Sequence, residues 1–392
     1  MGPGRLTQVC WTASTGLWSL AGRTTDREGQ RMNRIRRVLQ WLSGRRARLV
    51  PAAVVVVALV AAGVGFSLWR GDGEPAPPAG TPTAPAGEGP VDMAGRAPLT
   101  GVPAKDALNR PAVTVKISNT ADAHPQRGLG DADIVFVEPI TGGTTRLAAI
   151  FHSKLPAQVG PVRSLRPMDA ALIGPTKGII ADTMADRWVL EYVDRVADLD
   201  NLGSLRVPSG TYRLDDTRRA PNHVFARPGE LLRLSDRKAP PSPYFSYAAG
   251  LNQSTAQRSG TRAASVTIAY GGSATATWTY DAASHRWVRA EKWSPHLIEG
   301  SGQVAADNIV VLTAQRDTSF PKAKPTMTVL DVFDASGTLK LFTGGKVVSG
   351  RWSKGTVNEP FEFTTADGKP LLLTPGTTWI ECALTTMPVQ VR

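Results

Sequence analysis

Alternation of apolar and polar positions divides the chain into two regions with different periods. Between residues 92 and 238, the pattern indicates short buried strands separated by helices. The predicted strands are Ala112–Ile117, Ile134–Val137 and Gly178–Asp182, and the predicted helices are Pro167–Gly174 and Asp186–Val196. Strands that alternate with helices are typical of an α/β layer, so we predict a mixed α/β first domain over residues 92–238.

From Ser265 to the C-terminus, the period changes to two, with turn signals at positions such as Gly344–Gly345. This pattern predicts a mostly antiparallel β second domain over residues 265–392, joined to the first by a polar connection at residues 239–264. The predicted strands are Val266–Tyr270, Ala274–Tyr280, Arg286–Arg289, Asn308–Ala314, Met327–Phe333, Thr338–Phe342, Lys346–Trp352, Phe361–Thr364 and Leu371–Leu373. The fold class is therefore α+β, with a mixed α/β part and a β part.

An uncharged apolar segment, Leu49–Trp69, precedes both domains and has the length of a transmembrane helix. Arginines lie just before this segment, which predicts a basic cytoplasmic tail at residues 1–48 and an extracytoplasmic C-terminal part. We expect residues 1–31 to be an extension that precedes the native start at Met32. Residues 70–91 are rich in Pro and Gly and predict an extended tether. No cysteine closely follows the apolar segment, so we expect a signal anchor in a single-pass membrane protein rather than a lipid anchor.

Charge is concentrated at the N-terminus. The formal net charge is +12, but ten of the basic residues lie in residues 1–48, where only Asp26 and Glu28 oppose them. The basic balance is therefore a property of the tail, and we do not expect the folded part to bind nucleic acid. Cys10 and Cys382 lie on opposite sides of the predicted membrane segment and cannot pair, so Cys382 is expected to be a packed thiol.

Polar residues follow the first two predicted strands and form a candidate binding site. Arg163 and Arg166 flank Ser164 just before a predicted helix, and two guanidinium groups near a helix start suit phosphate or carboxylate. The alternative is that both arginines form structural ion pairs with Asp131, Asp133 or Asp169. The full set of candidate ligand-binding residues is Lys116, Asn119, Gln126, Arg146, Arg163, Arg166 and Asp169.

Glu138 and the histidines are the candidates for catalysis. Glu138 ends an apolar run, so its pKa could be raised for a general base, although a buried pair with Arg146 is equally compatible with its position. His152 and His223 are candidate acids, whereas His285 and His296 are expected at the surface. The chain has no metal-ligand spacing, Walker loop or GxSxG motif, so we predict no metal and no cofactor.

Several motifs in this core resemble a known family. The stretch NTADAHPQRGLGDADIVFVEPITGGTTR, followed by VGPVRSLRPMD, resembles the YerB-like family of bacterial envelope lipoproteins, a family of unknown function. The runs at Gly344–Lys354 and Asp367–Trp379 resemble its C-terminal signature. The resemblance implies a wall-facing, membrane-tethered protein with two co-folding parts, and it implies no reaction.

Three hypotheses about function follow. In the first, the outer domain binds an anionic wall component, such as a glycan, a peptide carboxylate or a polymer phosphate. Arg146, Arg163, Arg166 and Lys116 would supply charge, and Asn119 and Gln126 would orient the ligand. In the second, the protein is a wall-modifying hydrolase or transferase that uses Glu138 with His152 or His223. In the third, it is a non-catalytic scaffold for another envelope protein.

Overall fold

The computed structural model describes residues 89–104, 108–272, 274–320 and 327–392. The predicted tail, membrane segment and almost all of the tether lie outside the described residues. No helix among the described residues combines the length and the apolar character needed to cross a bilayer.

The N-terminal half alternates strands with short helices, as the pattern predicts. Its strands are β1 (Val113–Asn119), β2 (Ile134–Ile140), β3 (Thr144–Phe151), β4 (Ile179–Ala181), β5 (Asp200–Asn201), β6 (Tyr212–Leu214) and β7 (Val224–Ala226). Its α-helices are α1 (Asp169–Ile173), α2 (Arg187–Val196) and α3 (Pro228–Leu234), with 3-10 turns at Ala121–Ala123, Leu129–Asp131 and Gly174–Thr176. The spacing of apolar residues therefore locates both predicted helices to within a few residues.

The C-terminal half is almost entirely β-structure. After a 3-10 turn at Leu251–Gln253 and helix α4 (Thr255–Ser259), the strands are β8 (Thr261–Arg262), β9 (Ser265–Gly271), β10 (Ala274–Asp281), β11 (Arg286–Glu291), β12 (Leu297–Ile298), β13 (Gly302–Gln303), β14 (Ala305–Ala306), β15 (Asn308–Ala314), β16 (Ala335–Thr343), β17 (Lys346–Lys354), β18 (Glu362–Thr364), β19 (Thr378–Leu384) and β20 (Val389–Val391). The strands predicted at Met327–Phe333 and Leu371–Leu373 are wrong, because these segments form only isolated bridges at Leu330 and Leu373.

The two halves share one mixed sheet. In the described residues, ten of its strands lie in the order β18-β17-β16-β15-β19-β2-β3-β1-β4-β5, and β8 pairs with β17 as the eleventh. Parallel pairing of β19 with both β15 and β2 joins the halves. A second, antiparallel sheet has the order β14-β11-β10-β9-β20. The predicted mostly antiparallel pairing of the C-terminal half is confirmed, because β8 and β15–β18 of the large sheet also pair antiparallel, and β15 with β19 is the parallel exception within that half.

Each face of the large sheet is covered by its own core. One face carries Phe136, Ala148 and Ile380 and packs against the helices. The opposite face carries Val135 and Leu147 and packs against the second sheet through Trp278 and Trp287. Burial on both faces explains why β2 reads as a nearly continuous apolar run. Cys382 is buried in the first core, which confirms the packed thiol.

All described elements belong to one compact unit that begins at Pro82. A fragment of residues 82–392 therefore retains the complete sheet and both cores. This fragment is the protein used in the experiments below.

Ile380 tests whether the two halves fold as one unit. It is fully buried in β19 and lies opposite Phe136 of the N-terminal half and Val310 of the C-terminal half. We expect Ile380→Ala to lower the free energy of unfolding by about 2–5 kcal/mol, because it leaves a cavity in the shared core. Urea unfolding is monitored both by tryptophan fluorescence and by circular dichroism. We expect the two signals to change in one coincident transition.

Val391→Ala is the matched control, since Val391 is 37% exposed on a strand of the second sheet, and we expect a loss below about 1 kcal/mol. Two separate transitions in the Ile380→Ala variant, only one of them shifted, would contradict a shared fold.

Candidate functional site

A row of polar side chains crosses the large sheet at the end of the apolar part of one of its faces. Ser118 of β1, Arg146 of β3 and Glu138 of β2 lie directly opposite one another. Because side chains alternate between the faces of a strand, all three project from the face that carries Phe136 and Ala148. Asp182, two residues after the buried Ile180 of β4, lies on the same face. One edge of the apolar core is therefore lined with charged and polar groups.

Lys116 is the buried centre of this site. Its side chain is fully buried, and its Nζ lies 2.5 Å from Glu138 Oε1 and 2.5 Å from Asp169 Oδ1. Asp169 also accepts a hydrogen bond of 2.6 Å from the backbone N–H of Arg166. The ion pairs thus fix the Arg163–Asp169 loop against the sheet. The predicted pair of Glu138 with Arg146 is wrong, because Glu138 binds Lys116 instead.

Three arginines surround this centre, and we call Arg146, Arg163 and Arg166 the arginine cluster. Arg146 is only 4% exposed and donates to Ser118 Oγ at 3.0 Å. Arg166 donates to Ser164 Oγ at 2.7 Å and to the Leu165 carbonyl at 2.8 Å. Nε of each arginine and Nη1 of Arg163 are buried without a hydrogen-bond partner.

The guanidinium groups of the cluster interact unfavourably with each other. Burial, and then Arg166 and Arg163, lower the pKa of Arg146 to about 9. Burial and Arg166 also lower the pKa of Arg163. Within the described ranges, none of the three forms an ion pair with a carboxylate, since Asp131 pairs with Lys154, and Asp133 accepts from the backbone of His152 and Ser153. The alternative of ion pairs with Asp131, Asp133 or Asp169 is therefore wrong.

Burial raises the pKa of two carboxyl groups beside the cluster. Burial, and then Asp169, raise the pKa of Glu138 to about 8. Burial raises the pKa of Asp182 to about 7. Glu138 Oε2 and Asp182 Oδ1 have no hydrogen-bond partner among the described residues. Asp182 is missing from the sequence candidates, although its position at the end of the predicted strand Gly178–Asp182 is the signal that could have identified it.

Asn119 and Gln126 do not face the arginine cluster. Asn119 donates to Thr145 and to Glu291 of the C-terminal half, each at 2.7 Å, and its Oδ1 accepts from Gln126 at 3.1 Å. Gln126 Oε1 lies 2.9 Å from His296 Nε2. Both amides therefore connect the two halves internally, and this explains their burial without a ligand.

Arg289 is the centre of this internal network. It bonds to Glu291 and, at 3.0 Å, to Glu381, which also accepts from Trp278 at 2.7 Å. Burial acts to lower the pKa of Arg289, but Glu291 and Glu381 outweigh it and raise the pKa above its ordinary value. Period two along β11 places Trp287, Arg289 and Glu291 on one buried face, a signal that the sequence analysis did not use.

The histidines occupy different places from those expected. His296 is fully buried and bonds to Arg289, so its predicted surface position is wrong. His152 follows the far end of β3 and lies about 20 Å from Arg146 along the strand, where its ring contacts the Leu108 and Arg110 carbonyls. His223 is closer, since the neighbouring Val224 carbonyl accepts from Val162 N–H. The main chain next to His223 therefore lies beside the start of the arginine loop, whereas His152 lies away from the cluster.

No group of three or more His, Cys, Asp and Glu side chains in the described residues is arranged to hold a metal ion. The chemistry available at this edge of the sheet is anion binding by guanidinium groups and proton exchange by Glu138 and Asp182.

Comparisons with known proteins agree with this architecture. A model described as "Protein of unknown function (DUF3048) N-terminal domain" matches residues 99–261, and one described as "Protein of unknown function (DUF3048) C-terminal domain" matches residues 266–380. Together they cover more than half of the chain. The chain belongs to the DUF3048 family. The resemblance found in the sequence is confirmed, because the relatives are YerB proteins.

One curated relative of this DUF3048 protein is "Putative lipoprotein YerB" of Bacillus subtilis (strain 168), which is 46% identical over 72 residues. This match covers 18% of the chain and 22% of the relative. The crystal structure of YerB protein from Bacillus subtilis matches 75% of the chain and 99% of the crystallised chain, with a TM-score of 0.65 and 24% identity. The two proteins therefore share a fold. The arginine cluster lies within the N-terminal family domain, whereas Arg289 lies within the C-terminal one.

Glu138 should make stability depend on pH. Its pKa is about 8 in the folded protein, whereas a carboxyl in the unfolded chain titrates near 4. As pH rises from about 4 to 8, the unfolded chain loses a proton that the folded protein keeps, so the free energy of unfolding falls. We expect Glu138→Gln to reduce this fall by at least about 1 kcal/mol, since one pKa unit corresponds to about 1.4 kcal/mol.

The measurement is urea unfolding between pH 5 and pH 8.5. Glu191→Gln is the control, because Glu191 is exposed on α2 and pairs only with Arg187 among the described residues. Equal pH dependence in wild type and Glu138→Gln would show that Glu138 is already ionised at neutral pH.

Proposed function

We propose that this protein is an extracytoplasmic, membrane-anchored envelope protein that binds an anionic wall component at the arginine cluster. The observation that carries the proposal is the set of three guanidinium groups at one site that have buried nitrogens without hydrogen-bond partners and no carboxylate within ion-pair distance among the described residues. Wall glycans, peptide carboxylates and polymer phosphates all supply the charge that such a site requires.

Arg146 is a buried member of the cluster, with only 4% of its surface exposed. Leaving a buried charge unpaired costs several kcal/mol, and two further arginines nearby add repulsion. Glu138 and Asp169 form their ion pairs with Lys116, and their longer-range attraction to Arg146 is outweighed by burial and by Arg166 and Arg163, which lower its pKa. A bound anion would offset the charge of the cluster, because guanidinium groups form short, charge-assisted hydrogen bonds to phosphate and carboxylate oxygens.

The location at the membrane is supported by sequence and by likeness. The apolar segment Leu49–Trp69 with preceding arginines favours a single-pass helix with the folded part outside the cell. The relative's name describes it as a lipoprotein, which is also an envelope protein. We propose the helix rather than a lipid for this chain, because Cys382, the one cysteine after the segment, is buried in the core.

A second candidate function, wall modification by a hydrolase or transferase, is favoured by Glu138. Its unpartnered Oε2 and its pKa of about 8 suit a group that exchanges protons near neutral pH. His223 is the histidine that could assist it. The enzyme hypothesis and the binding hypothesis place function at the same site. A measurement of turnover therefore distinguishes them, whereas the location of the site does not.

Loss of two arginines should weaken binding. We expect Arg163→Gln combined with Arg166→Gln to reduce the affinity of fragment 82–392 for purified wall material at least about tenfold, since one charge-assisted hydrogen bond contributes about 1.5–3 kcal/mol. Co-sedimentation at low salt is the measurement. The control is Arg187→Gln with Arg195→Gln, which removes the same charge from exposed positions on α2. Equal loss in both double variants would indicate a general charge effect and would refute the site.

Turnover tests the enzyme hypothesis. Fragment 82–392 is incubated with wall polymers, and soluble products are detected by mass spectrometry. If Glu138 is the base, we expect products with wild type and a loss of at least about a hundredfold in Glu138→Gln, in the range typical for acid–base catalysis. If wild type gives no products and its binding depends on the arginines, the enzyme hypothesis is wrong and only the binding function remains.

A further inference from the structure

Two exposed apolar side chains lie beside the arginine cluster. Leu205 is 86% exposed and Met184 is 65% exposed, which makes them the two most exposed large apolar residues in the described part of the chain. Both line one small cavity between the loops that follow β4 and β5, together with Asp182 and Leu190. They therefore form one apolar patch, which we call the Met184–Leu205 patch.

Hydrogen bonds fix the Met184 loop to the loop that carries the arginines. Thr183 donates its backbone N–H to the Arg163 carbonyl at 3.1 Å and its hydroxyl to the Val162 carbonyl at 2.9 Å. Met184 is the next residue, and its φ of 59° is in the left-handed region, which a side chain rarely adopts. The strained backbone holds an apolar side chain towards solvent at the edge of the cationic site.

The second loop is fixed to Asp182. Ser204 donates its backbone N–H to the Asp182 carbonyl at 2.9 Å. Gly203 packs so closely that a Cβ atom there would lie 2.2 Å from Asp182 Oδ1. Leu205 is therefore held beside the same strand end as the carboxyl group that borders the arginine cluster.

We propose that the arginine cluster also binds the phosphate of a membrane lipid, with the first hydrocarbon groups of the lipid against the Met184–Leu205 patch. This inference rests on the anion site of the proposed function and adds a second ligand class to it. A soluble polymer phosphate gains nothing from exposed Met and Leu side chains, whereas a lipid brings phosphate and hydrocarbon together. The sequence also predicts a tether at residues 70–91. Its twenty Pro- and Gly-rich residues 71–90 span up to about 60 Å in extended form, which allows the domain to reach the membrane that anchors it.

The experiment uses fragment 82–392 and phosphatidylcholine vesicles with and without phosphatidic acid. We expect binding only to the vesicles with phosphatidic acid. Met184→Ser combined with Leu205→Ser should weaken this binding at least about fivefold, through loss of apolar burial, and should leave co-sedimentation with wall material unchanged. The matched control is Leu214→Ser combined with Leu234→Ser, which alters exposed leucines outside the patch and should bind as wild type does.

The outcomes separate this inference from the anion site itself. Wild-type binding by the Met184→Ser, Leu205→Ser variant, or equal binding to both kinds of vesicle, would overturn the lipid proposal. If inorganic phosphate binds in an arginine-dependent manner while vesicles do not, the source is a soluble phosphate and the lipid proposal is again wrong. If the Arg163→Gln, Arg166→Gln variant binds vesicles, phosphate and wall material as wild type does, the proposed function itself fails.

Discussion

The ion pairs of Lys116 are the interaction on which the site depends. Burying the Lys116 ammonium group without an acidic partner would cost several kcal/mol, so Lys116 remains in contact with Glu138 and Asp169. Their contact joins β1, β2 and the first turn of α1, and it fixes the loop between Arg163 and Asp169. It also occupies the nearest acids. Among the described residues, no carboxylate therefore lies within ion-pair distance of the arginine cluster.

A second buried network makes the two family domains one structural unit. Arg289 bonds to Glu381 of β19 in the large sheet, and Glu291 accepts from Asn119 at the end of β1. The second sheet is thereby linked to the strands that carry the cluster. A movement of one half relative to the other would break these charge-assisted hydrogen bonds, which are strong because the protein interior has a low dielectric constant. The arginine cluster therefore lies on a sheet that both halves stabilise.

Local sequence patterns predicted individual strands and helices better than they predicted which strands pair and which side chains contact each other. The apolar run before Glu138 and the spacing in α2 identified a strand and a helix, because these depend on neighbours in the chain. The strand order could not be obtained in this way, since β19 lies between β15 and β2 through pairing of distant segments. The same limit explains why the contacts of Asn119 and Gln126 between the halves were not predicted and why His296 was wrongly expected at the surface. Each was judged by polarity, whereas their burial depends on contacts between halves some 170 residues apart.

The central claim is that Arg146, Arg163 and Arg166 together hold one anion. Crystals of fragment 82–392 soaked with tungstate, a heavy tetrahedral oxyanion, test it most directly through anomalous diffraction. The account predicts a tungsten peak whose oxygens lie within hydrogen-bond distance of all three guanidinium groups, with Lys116 still bound to Glu138 and Asp169. Guanidinium groups paired with carboxylates in the crystal, and tungsten bound only elsewhere on the surface, would contradict it.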